Sequence, residues 1–157
     1  MTAANITSPT ELYSEIILEW SPKMDITDPK INSFPENVLY QLYGDSHLYG
    51  RDVLLYIGKT NRKVEERLSE HIKSVFGFVN NLSISVGKII DCPFENLEIP
   101  ESILIANHKP SFNKEYIHLI ADGACDSKII IINNGHCISL KTCCTNYWWV
   151  KQWHIES

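Results

Sequence analysis

Two short apolar runs joined by a polar segment are the feature that most constrains how this chain can fold. The runs cover residues 38–43 and 53–57, and the segment between them is mostly polar and contains Gly44 and Gly50. Runs of this length bounded by turn-forming residues are typical of two strands joined in a β-hairpin. Gly58 follows the second run and ends it. We therefore expect a hairpin with a long loop, around which the core is built.

The residues after this hairpin predict a helix, a third strand and a second helix. Thr60 or Asn61 is expected to cap the first helix, whose apolar side chains recur at helical spacing: Val64, Leu68, Ile72 and Val75. Residues 82–90 alternate apolar side chains with serine and glycine, a strand pattern. Pro100 opens a short helix that runs to Ala106. We expect an α+β fold with a small three-stranded antiparallel sheet flanked by helices.

The two ends of the chain predict extensions of this core. Near the N-terminus, Ser8 is a helix cap, Pro9 a first helical residue and Glu11 the end of a capping box, followed by apolar residues at helical spacing: Leu12, Ile16 and Trp20. Near the C-terminus, residues 128–132 and 136–140 flank Asn134-Gly135, a strong hairpin signal. We expect one domain with an N-terminal helical flank (1–36), a core (37–114) and a C-terminal hairpin extension (115–157).

Composition indicates a soluble globular protein. The chain has 157 residues, of which 44% are apolar and 21% charged, proportions that are ordinary for such proteins. No run approaches the roughly 20 apolar residues of a membrane span, and the first twenty residues do not resemble a secretory signal. The five cysteines are an odd number without regular spacing, which favours a reducing compartment over a disulfide framework. The expected location is the cytoplasm, with no membrane partner.

The formal net charge of -5 argues against a polyanionic partner, but its distribution is uneven. Residues 1–37 hold six acidic and two basic side chains, whereas residues 38–113 hold nine and eight. Five basic residues fall within fifteen positions: Lys59, Arg62, Lys63, Arg67 and Lys73. A local basic site can therefore coexist with an acidic chain. The overall acidity predicts weak non-specific binding of nucleic acid that is sensitive to salt.

Several short motifs fall in order on the predicted strands and helices. Residues 38–40 read Val-Leu-Tyr and residues 56–58 read Tyr-Ile-Gly, on neighbouring strands. Arg67 and His71 follow at a spacing of four, and a segment Glu101-x-x-Leu-Ile precedes Pro-x-x-Asn113. In these elements, over about 76 of the 157 residues, the sequence resembles the GIY-YIG nuclease superfamily. It departs from the family pattern at Val38, which stands where the first tripeptide has glycine.

The resemblance implies a divalent-metal-dependent endonuclease that hydrolyses phosphodiester bonds, with DNA as the expected partner and RNA not excluded. The implied catalytic residues are Tyr40, Tyr56, Arg67, His71 and Glu101. Glu101 is the implied ligand of Mg²⁺ or Mn²⁺, because Mg²⁺ is often held by one or two carboxylates and keeps several waters. Arg67 offers a planar fork that matches phosphate oxygens. Either Tyr40 or His71 accepts the proton of the attacking water, and the sequence leaves both roles open.

Further residues are assigned supporting roles. Lys59, Thr60, Arg62 and Lys63 are candidates to bind substrate phosphates, although a plain turn and helix cap explains Thr60 equally well. Gly58 and Asn113 are expected to support the site structurally. For Tyr40 and Tyr56 to act in one site, their side chains must lie on the same face of the sheet. Tyr40 shares a strand face with Leu42, and Tyr56 shares one with Leu54, so those two faces must coincide.

Other interpretations were weighed. Zinc was considered for six C-terminal residues, but their spacing matches no common zinc module: Cys125, His136, Cys137, Cys143, Cys144 and His154. Four aromatic residues could stack on bases but are more typical of core packing: Tyr147, Trp148, Trp149 and Trp153. A restriction-like or other defence nuclease is favoured by the small size. The alternative class is an inactive nucleic-acid-binding or protein-interaction module on the same scaffold. The oligomeric state is open, a homodimer included.

Overall fold

A computed structural model describes residues 13–147, and these residues form one curved sheet with two short helices. The elements are β1 (Tyr13–Trp20), β2 (Met24–Asp25), a 3₁₀ turn (Pro29–Ser33), β3 (Val38–Ser46), β4 (Gly50–Thr60), α1 (Val64–Ile72), a second 3₁₀ turn (Val75–Phe78), β5 (Ser83–Asp91), α2 (Glu98–His108), β6 (Lys128–Gly135) and β7 (Cys143–Thr145). Neither helix in this range has the length and apolar character that a membrane crossing requires.

The sheet contains seven strands and is mixed. Its order is β4-β3-β5-β1-β6-β7, and β2 adds a short pairing to β5. Strands β1 and β6 run parallel, from Tyr13 opposite Lys128 to Trp20 opposite Gly135, while the other pairs are antiparallel. In consequence β4 lies at one edge of the sheet.

Apolar side chains cover both faces of this sheet. On one face α2 packs with the central strands through Leu18, Leu39 and Ile103, each fully buried. On the other face α1 and the two 3₁₀ turns pack through Val64 and Leu68 against β3 and β5. Because each helix covers a different face, a side chain of α1 can meet a side chain of α2 only beyond the sheet edge.

The predicted fold class, a three-stranded sheet flanked by helices, is wrong. The strands expected at 38–43, 53–57 and 82–90 are present as β3, β4 and β5, but they are part of a seven-stranded sheet. The apolar pattern of one strand does not show how many other strands pair with it. The partners of β5 lie far from it in sequence. β5 is paired along both edges, by β3 and β1, so it is an interior strand of the sheet and not an edge strand.

The predicted N-terminal helix is also wrong where the structure describes the chain. Residues 13–20 form β1, in which Ile16, Leu18 and Trp20 are at most 2% exposed. A spacing of four residues fits one helical turn, but it also fits two repeats of a strand, so Ile16 and Trp20 share a face in both structures. Hydrogen bonding to β5 and β6 stabilises residues 13–20 as a strand and not as a helix. The predicted capping residues Ser8, Pro9 and Glu11 lie outside the described residues.

The C-terminal hairpin prediction is wrong in its second strand. β6 continues through Asn134 and Gly135, because the parallel pairing with β1 extends to Trp20. Residues 136–140 form a loop, and the returning strand is β7, in which Cys144 lies opposite Ile131. The tryptophans considered for stacking, Trp148, Trp149 and Trp153, lie outside the described residues.

Helix α1 differs from its prediction at both ends. It begins at Val64 with Lys63 as the cap residue, so neither Thr60 nor Asn61 caps it. Its buried residues are Val64, Leu68 and His71, whereas Ile72 is 38% exposed and ends the helix. The helix is rotated so that a histidine occupies the position that the apolar stripe predicted for isoleucine. This rotation directs His71 toward the tyrosines of the sheet.

Candidate active site

The outer edge of β4 is closed by the segment that follows α2. The side-chain oxygen of Asn113 accepts a hydrogen bond from the Ile57 amide at 3.0 Å, and its nitrogen donates to the Ile57 carbonyl at 2.9 Å. The amide of Phe112 donates to the Leu55 carbonyl at 2.9 Å. An edge strand with unpaired backbone groups is a liability in a folded protein, and these bonds satisfy it. They also fix Asn113 beside the strand that carries Tyr56.

Gly58 provides the space in which two tyrosine rings lie. It pairs with Tyr40 across the β3–β4 ladder. A Cβ atom added to Gly58 would lie 2.5 Å from Cζ and Oη of Tyr40 and 2.7 Å from Cε1 of Tyr56, closer than real Cβ contacts. The two rings lie with their centroids 6.1 Å apart. Glycine is therefore required here for space rather than for a special backbone conformation.

The two tyrosines lie on the same face of the sheet. Leu42 is opposite Tyr56 in the ladder, and Tyr40 and Leu42 point to the same side, so the face of Tyr40 is also that of Tyr56. The expectation that Leu54 shares this face is wrong. The register shifts between Leu42 and Tyr43, which leaves Leu55 as an extra residue and moves Leu54 to the opposite face.

His71 forms the closest polar contact in this cluster. Its Nε2 atom lies 2.7 Å from the hydroxyl of Tyr40, and its ring packs edge-on against Tyr56 and Phe76, with centroid distances of 4.9 and 5.1 Å. Burial, with the charge of Arg67, lowers the pKa of His71 to about 4. Burial raises the pKa of Tyr40 well above its usual range. At neutral pH the hydroxyl of Tyr40 therefore donates and the neutral imidazole accepts.

Arg67 lies one helical turn before His71 and faces the same two tyrosines. Its Nη1 atom donates to Glu70 at 2.7 Å, and its guanidinium interacts with the hydroxyls of Tyr40 and Tyr56. Burial disfavours the charged form of Arg67, but its hydrogen bond to Glu70 and its interactions with the oxygens of Tyr40 and Tyr56 outweigh burial and raise the pKa of the guanidinium. The positive charge is therefore retained in a partly buried position.

Glu101 reaches this cluster from α2, on the other side of the sheet. Together with Tyr56 and Arg67 it lines a cleft of about 300 Å³ at the edge of β4. Burial raises the pKa of Glu101 to about 7, against the opposing influence of Lys59. The carboxylate forms no ion pair with another described residue. A partly buried carboxylate without an ion-pair partner is costly in its charged form, and a hydrogen bond from the Lys59 amide offsets only part of that cost. A bound cation would relieve the rest.

The donor set around Glu101 fits Mg²⁺ held by a single carboxylate. Between residues 13 and 147, no three histidine, cysteine, aspartate or glutamate side chains come together as a group that could enclose a metal ion. Zinc sites need three or four such protein ligands. Mg²⁺ instead keeps several waters and needs few protein ligands when substrate phosphate supplies others. Glu101 is the residue that would hold such an ion.

The basic and hydroxyl residues of the β4–α1 loop differ in what they can contact. The hydroxyl of Thr60 is buried and accepts from the Arg62 amide at 3.1 Å, so it holds the turn and does not face the cleft. Arg62 is exposed and donates to Glu70 at 2.6 Å. Lys63 is exposed at the start of α1, and Lys59 lies partly buried near Glu101.

Sequence inspection did not assign several residues that lie at the cleft. Lys114, Glu115 and Tyr116 line it directly after Asn113, and the charges of Glu98 and Glu115 contribute to the raised pKa of Glu101. Proximity in sequence to Asn113 and Glu101 is the signal that could have pointed to them.

The five side chains predicted to be catalytic therefore lie together, with two tyrosines from the sheet, Arg67 and His71 from α1, and Glu101 from α2. No family model, no curated protein and no solved structure matches this chain.

Proposed function

We propose that this protein is a divalent-cation-dependent endonuclease of the GIY-YIG type that hydrolyses phosphodiester bonds in DNA. The observation that carries the proposal is that Tyr56, Arg67 and Glu101 line one cleft. The hydrogen-bonded Tyr40–His71 pair packs against Tyr56 next to that cleft. Phosphodiester hydrolysis needs charge neutralisation at phosphorus, a path for the proton of the attacking water and a group to hold a cation. Arg67 and Glu101 in the cleft can neutralise charge and hold a cation, and the adjacent Tyr40–His71 pair provides a path for the proton.

The proton path runs from water through Tyr40 to His71. In hydrolysis a water oxygen forms a bond to phosphorus and loses a proton, while the bond to the leaving oxygen breaks and that oxygen takes up a proton from solvent. The Tyr40 oxygen accepts that proton while its own hydroxyl proton passes to Nε2 of His71, 2.7 Å away. Burial raises the pKa of Tyr40 and keeps its phenolate scarce, so Tyr40 cannot take the proton without passing its own proton on. His71 is neutral at pH 7 and is therefore the terminal acceptor, with tyrosine as the relay. Burial and the charge of Arg67 lower the pKa of His71 to about 4, and a phosphate anion bound to Arg67 would offset that charge and favour protonation of the imidazole.

Arg67 and Tyr56 bind the phosphate in this proposal. The guanidinium keeps its charge in a partly buried position, where an ionic hydrogen bond to a phosphate oxygen is stronger than in water. The hydroxyl of Tyr56 lies beside it and donates to a second oxygen. Glu101 would hold the divalent cation, which would offset negative charge that develops on the phosphate and lower the pKa of a nearby water.

The alternative function, an inactive binding or interaction module, rests on the net charge of -5 and on Val38. The replacement of the family's glycine by Val38 is weak support for an inactive module. Val38 is 1% exposed and packs in the core of the sheet, whereas the space for the tyrosine rings is provided by Gly58. The missing glycine therefore does not disable the cleft. The proposal includes a cytoplasmic location, where the five cysteines, none of them in a disulfide, stay as thiols.

Two substitutions test the proposed function. Glu101→Ala should abolish Mg²⁺-dependent cleavage of plasmid or single-stranded DNA while leaving DNA binding largely intact. Arg67→Ala should lower the rate on the order of 100-fold or more, because it removes charge stabilisation in the transition state. Two substitutions of exposed residues outside the cleft are the matched controls. Glu66→Ala removes a negative charge, as Glu101→Ala does, and Arg51→Ala removes a positive charge, as Arg67→Ala does. Both control variants should cleave like the parent.

The outcomes separate the two classes of function. Cleavage by Glu101→Ala at the parental rate would contradict the assignment of the cation to Glu101. Absence of chelator-sensitive cleavage of plasmid, single-stranded DNA and RNA by the parental protein would favour the binding module. Cleavage of RNA alone would keep the chemistry and change the substrate.

A further inference from the structure

Glu70 joins two arginines that come from different parts of the chain. One of its oxygens accepts a hydrogen bond from Nη2 of Arg62 at 2.6 Å, and the other accepts from Nη1 of Arg67 at 2.7 Å. Arg62 lies in the loop before α1, while Arg67 and Glu70 lie one turn apart on the helix. Two guanidinium groups therefore converge on one carboxylate.

The carboxylate can be displaced by a substrate anion. The side chains of Arg62 and Glu70 are 49% and 44% exposed in their ion pair, and that of Arg67 is 35% exposed. Ion pairs at this exposure contribute little to stability, typically about 0–1 kcal/mol. A phosphate, which accepts hydrogen bonds from arginine in the same fork geometry as a carboxylate, can replace Glu70 on either guanidinium at small cost.

The two arginines do not face the same position. Arg67 is held on its inner side by the hydroxyls of Tyr40 and Tyr56 and lines the cleft. Arg62 does not line the cleft and is held on the outer side of Glu70. A phosphate bound by Arg67 would lie in the cleft, and a phosphate bound by Arg62 would lie outside it, on the exposed side of Glu70.

We propose that Arg62 forms a second phosphate subsite, so that the protein holds a polynucleotide strand at two phosphates, the scissile one on Arg67 and a neighbouring one on Arg62. Glu70 is the positioning residue that keeps the two guanidinium groups together before substrate binds. The inference rests on the proposed function, since it takes Arg67 to bind the scissile phosphate. It adds that a single phosphodiester is an incomplete substrate.

The test compares two substrates with two arginine variants. One substrate is a dinucleotide with a single phosphodiester and no terminal phosphate, and the other is a single-stranded oligonucleotide of twelve or more residues. Arg62→Ala should raise KM for the oligonucleotide by about 10-fold, the effect of losing one ionic hydrogen bond, and should change the dinucleotide much less. Arg51→Ala removes the same charge at the far end of β4 and is the matched control. It should affect both substrates equally and slightly.

A binding measurement with chelator present makes the test independent of cleavage. The oligonucleotide affinity of the parent, Arg62→Ala and Arg51→Ala is measured over a range of salt concentrations. Loss of one phosphate contact should lower the slope of log K against log salt by about 0.7 for a single strand. That reduction should appear in Arg62→Ala and not in Arg51→Ala.

Glu70→Gln tests the positioning role. The substitution removes a negative charge that repels DNA, so binding should not weaken, but kcat should fall several-fold because Arg67 loses the partner that orients it. A purely electrostatic role for Glu70 would instead raise affinity and leave kcat unchanged, and a role in stability alone would leave both unchanged in the folded protein.

Two results would overturn the second subsite: equal effects of Arg62→Ala and Arg51→Ala on oligonucleotide affinity and salt slope, or an equal KM penalty of Arg62→Ala on both substrates. If the parent cleaves neither of these substrates, nor plasmid DNA or RNA, with Mg²⁺, the proposed nuclease function fails. The salt slopes would then still decide whether Arg62 contacts a phosphate.

Discussion

Glu101 carries a stability cost that follows from its position. Burial raises the pKa of this carboxyl to about 7 in the folded protein, whereas a free glutamate titrates near 4.3. Between these pH values the folded chain holds a proton that the unfolded chain has lost. The free energy of unfolding therefore falls as the pH rises through this window, and the full cost is present above about pH 7.

Glu101→Gln should therefore stabilise the protein while it abolishes cleavage. The amide has nearly the same shape and no charge to desolvate. At pH 8 the free energy of unfolding should increase on the order of 2 kcal/mol relative to the parent, and at pH 5 the difference should become small. Urea unfolding at the two pH values measures this. A variant less stable than the parent at pH 8 would show that the ionised carboxylate is well compensated, and the cation site would lose its physical basis.

Gly58 is the second residue at which one atom should matter. Gly58→Ala places a Cβ within 2.5 Å of the Tyr40 ring and 2.7 Å of the Tyr56 ring, so both rings must move. Overpacking of this kind costs about 1–3 kcal/mol of stability. A shift of the reacting groups by about 1 Å can lower the rate on the order of 100-fold. Steady-state kinetics below the unfolding transition separate the two effects. Parental kcat in Gly58→Ala would contradict a catalytic role for the Tyr40 hydroxyl.

The sequence identified the chemical groups of the site better than their surroundings. Tyr40, Tyr56, Arg67 and Glu101 could be named because their residue types and order match a motif. The hydrogen bonds of Thr60 and the bridge formed by Glu70 could not be foreseen, because each depends on side-chain rotamers and on how a loop turns. A motif therefore indicates which groups meet but not how each one is held.

At the scale of the element, α1 illustrates the limit of an apolar stripe. Leu68 and Ile72 are equivalent members of the stripe in sequence, but Leu68 is 5% exposed and Ile72 is 38% exposed. The helix packs on its Val64–Leu68–His71 side, and Ile72 is its last residue, before the second 3₁₀ turn. The buried position nearest the tyrosines is taken by His71.

Leu68→Ala and Ile72→Ala form a matched pair of substitutions that tests this rotation. Leu68→Ala should lower the free energy of unfolding by about 2–4 kcal/mol, since it leaves a cavity beneath the helix. Ile72→Ala should change the free energy of unfolding by less than about 1 kcal/mol. Ile72 is 38% exposed, so the substitution removes less buried apolar area, and alanine has the higher helix propensity. Chemical denaturation of the two variants measures this difference. Equal losses would mean that the helix faces the sheet as its stripe predicts, with His71 turned away from Tyr40.

Strand β1 also shows that a local apolar pattern does not by itself decide the structure. In residues 13–20 the apolar side chains at 16, 18 and 20 repeat with period two, and those at 16 and 20 also fit a helical turn. Local pattern does not discriminate between these structures over eight residues. The parallel partner β6 begins more than one hundred residues later, so the deciding contacts are long-range.

At the scale of the molecule, the site depends on where the sheet ends. α1 covers one face of the sheet and α2 the other, so Arg67 and Glu101 can share a cleft only past an edge strand. β4 is that edge, and Asn113 and Phe112 close its open backbone groups with hydrogen bonds. The same segment continues along the cleft as Lys114 and Tyr116. Closing the edge and building the cleft are thus one structural feature.

The sequence by itself determined the strands β3, β4 and β5 and the two helices near their observed positions, and it named side chains that the structure places next to one another; their catalytic roles stay predictions. These follow from local periodicity and from short motifs whose residues are neighbours or one helical turn apart. The tertiary structure alone decided that the sheet has seven strands, that residues 13–20 are one of them, and that His71 rather than Ile72 faces the core. Each of these outcomes depends on pairing between segments far apart in the chain, for which one sequence contains no local signal.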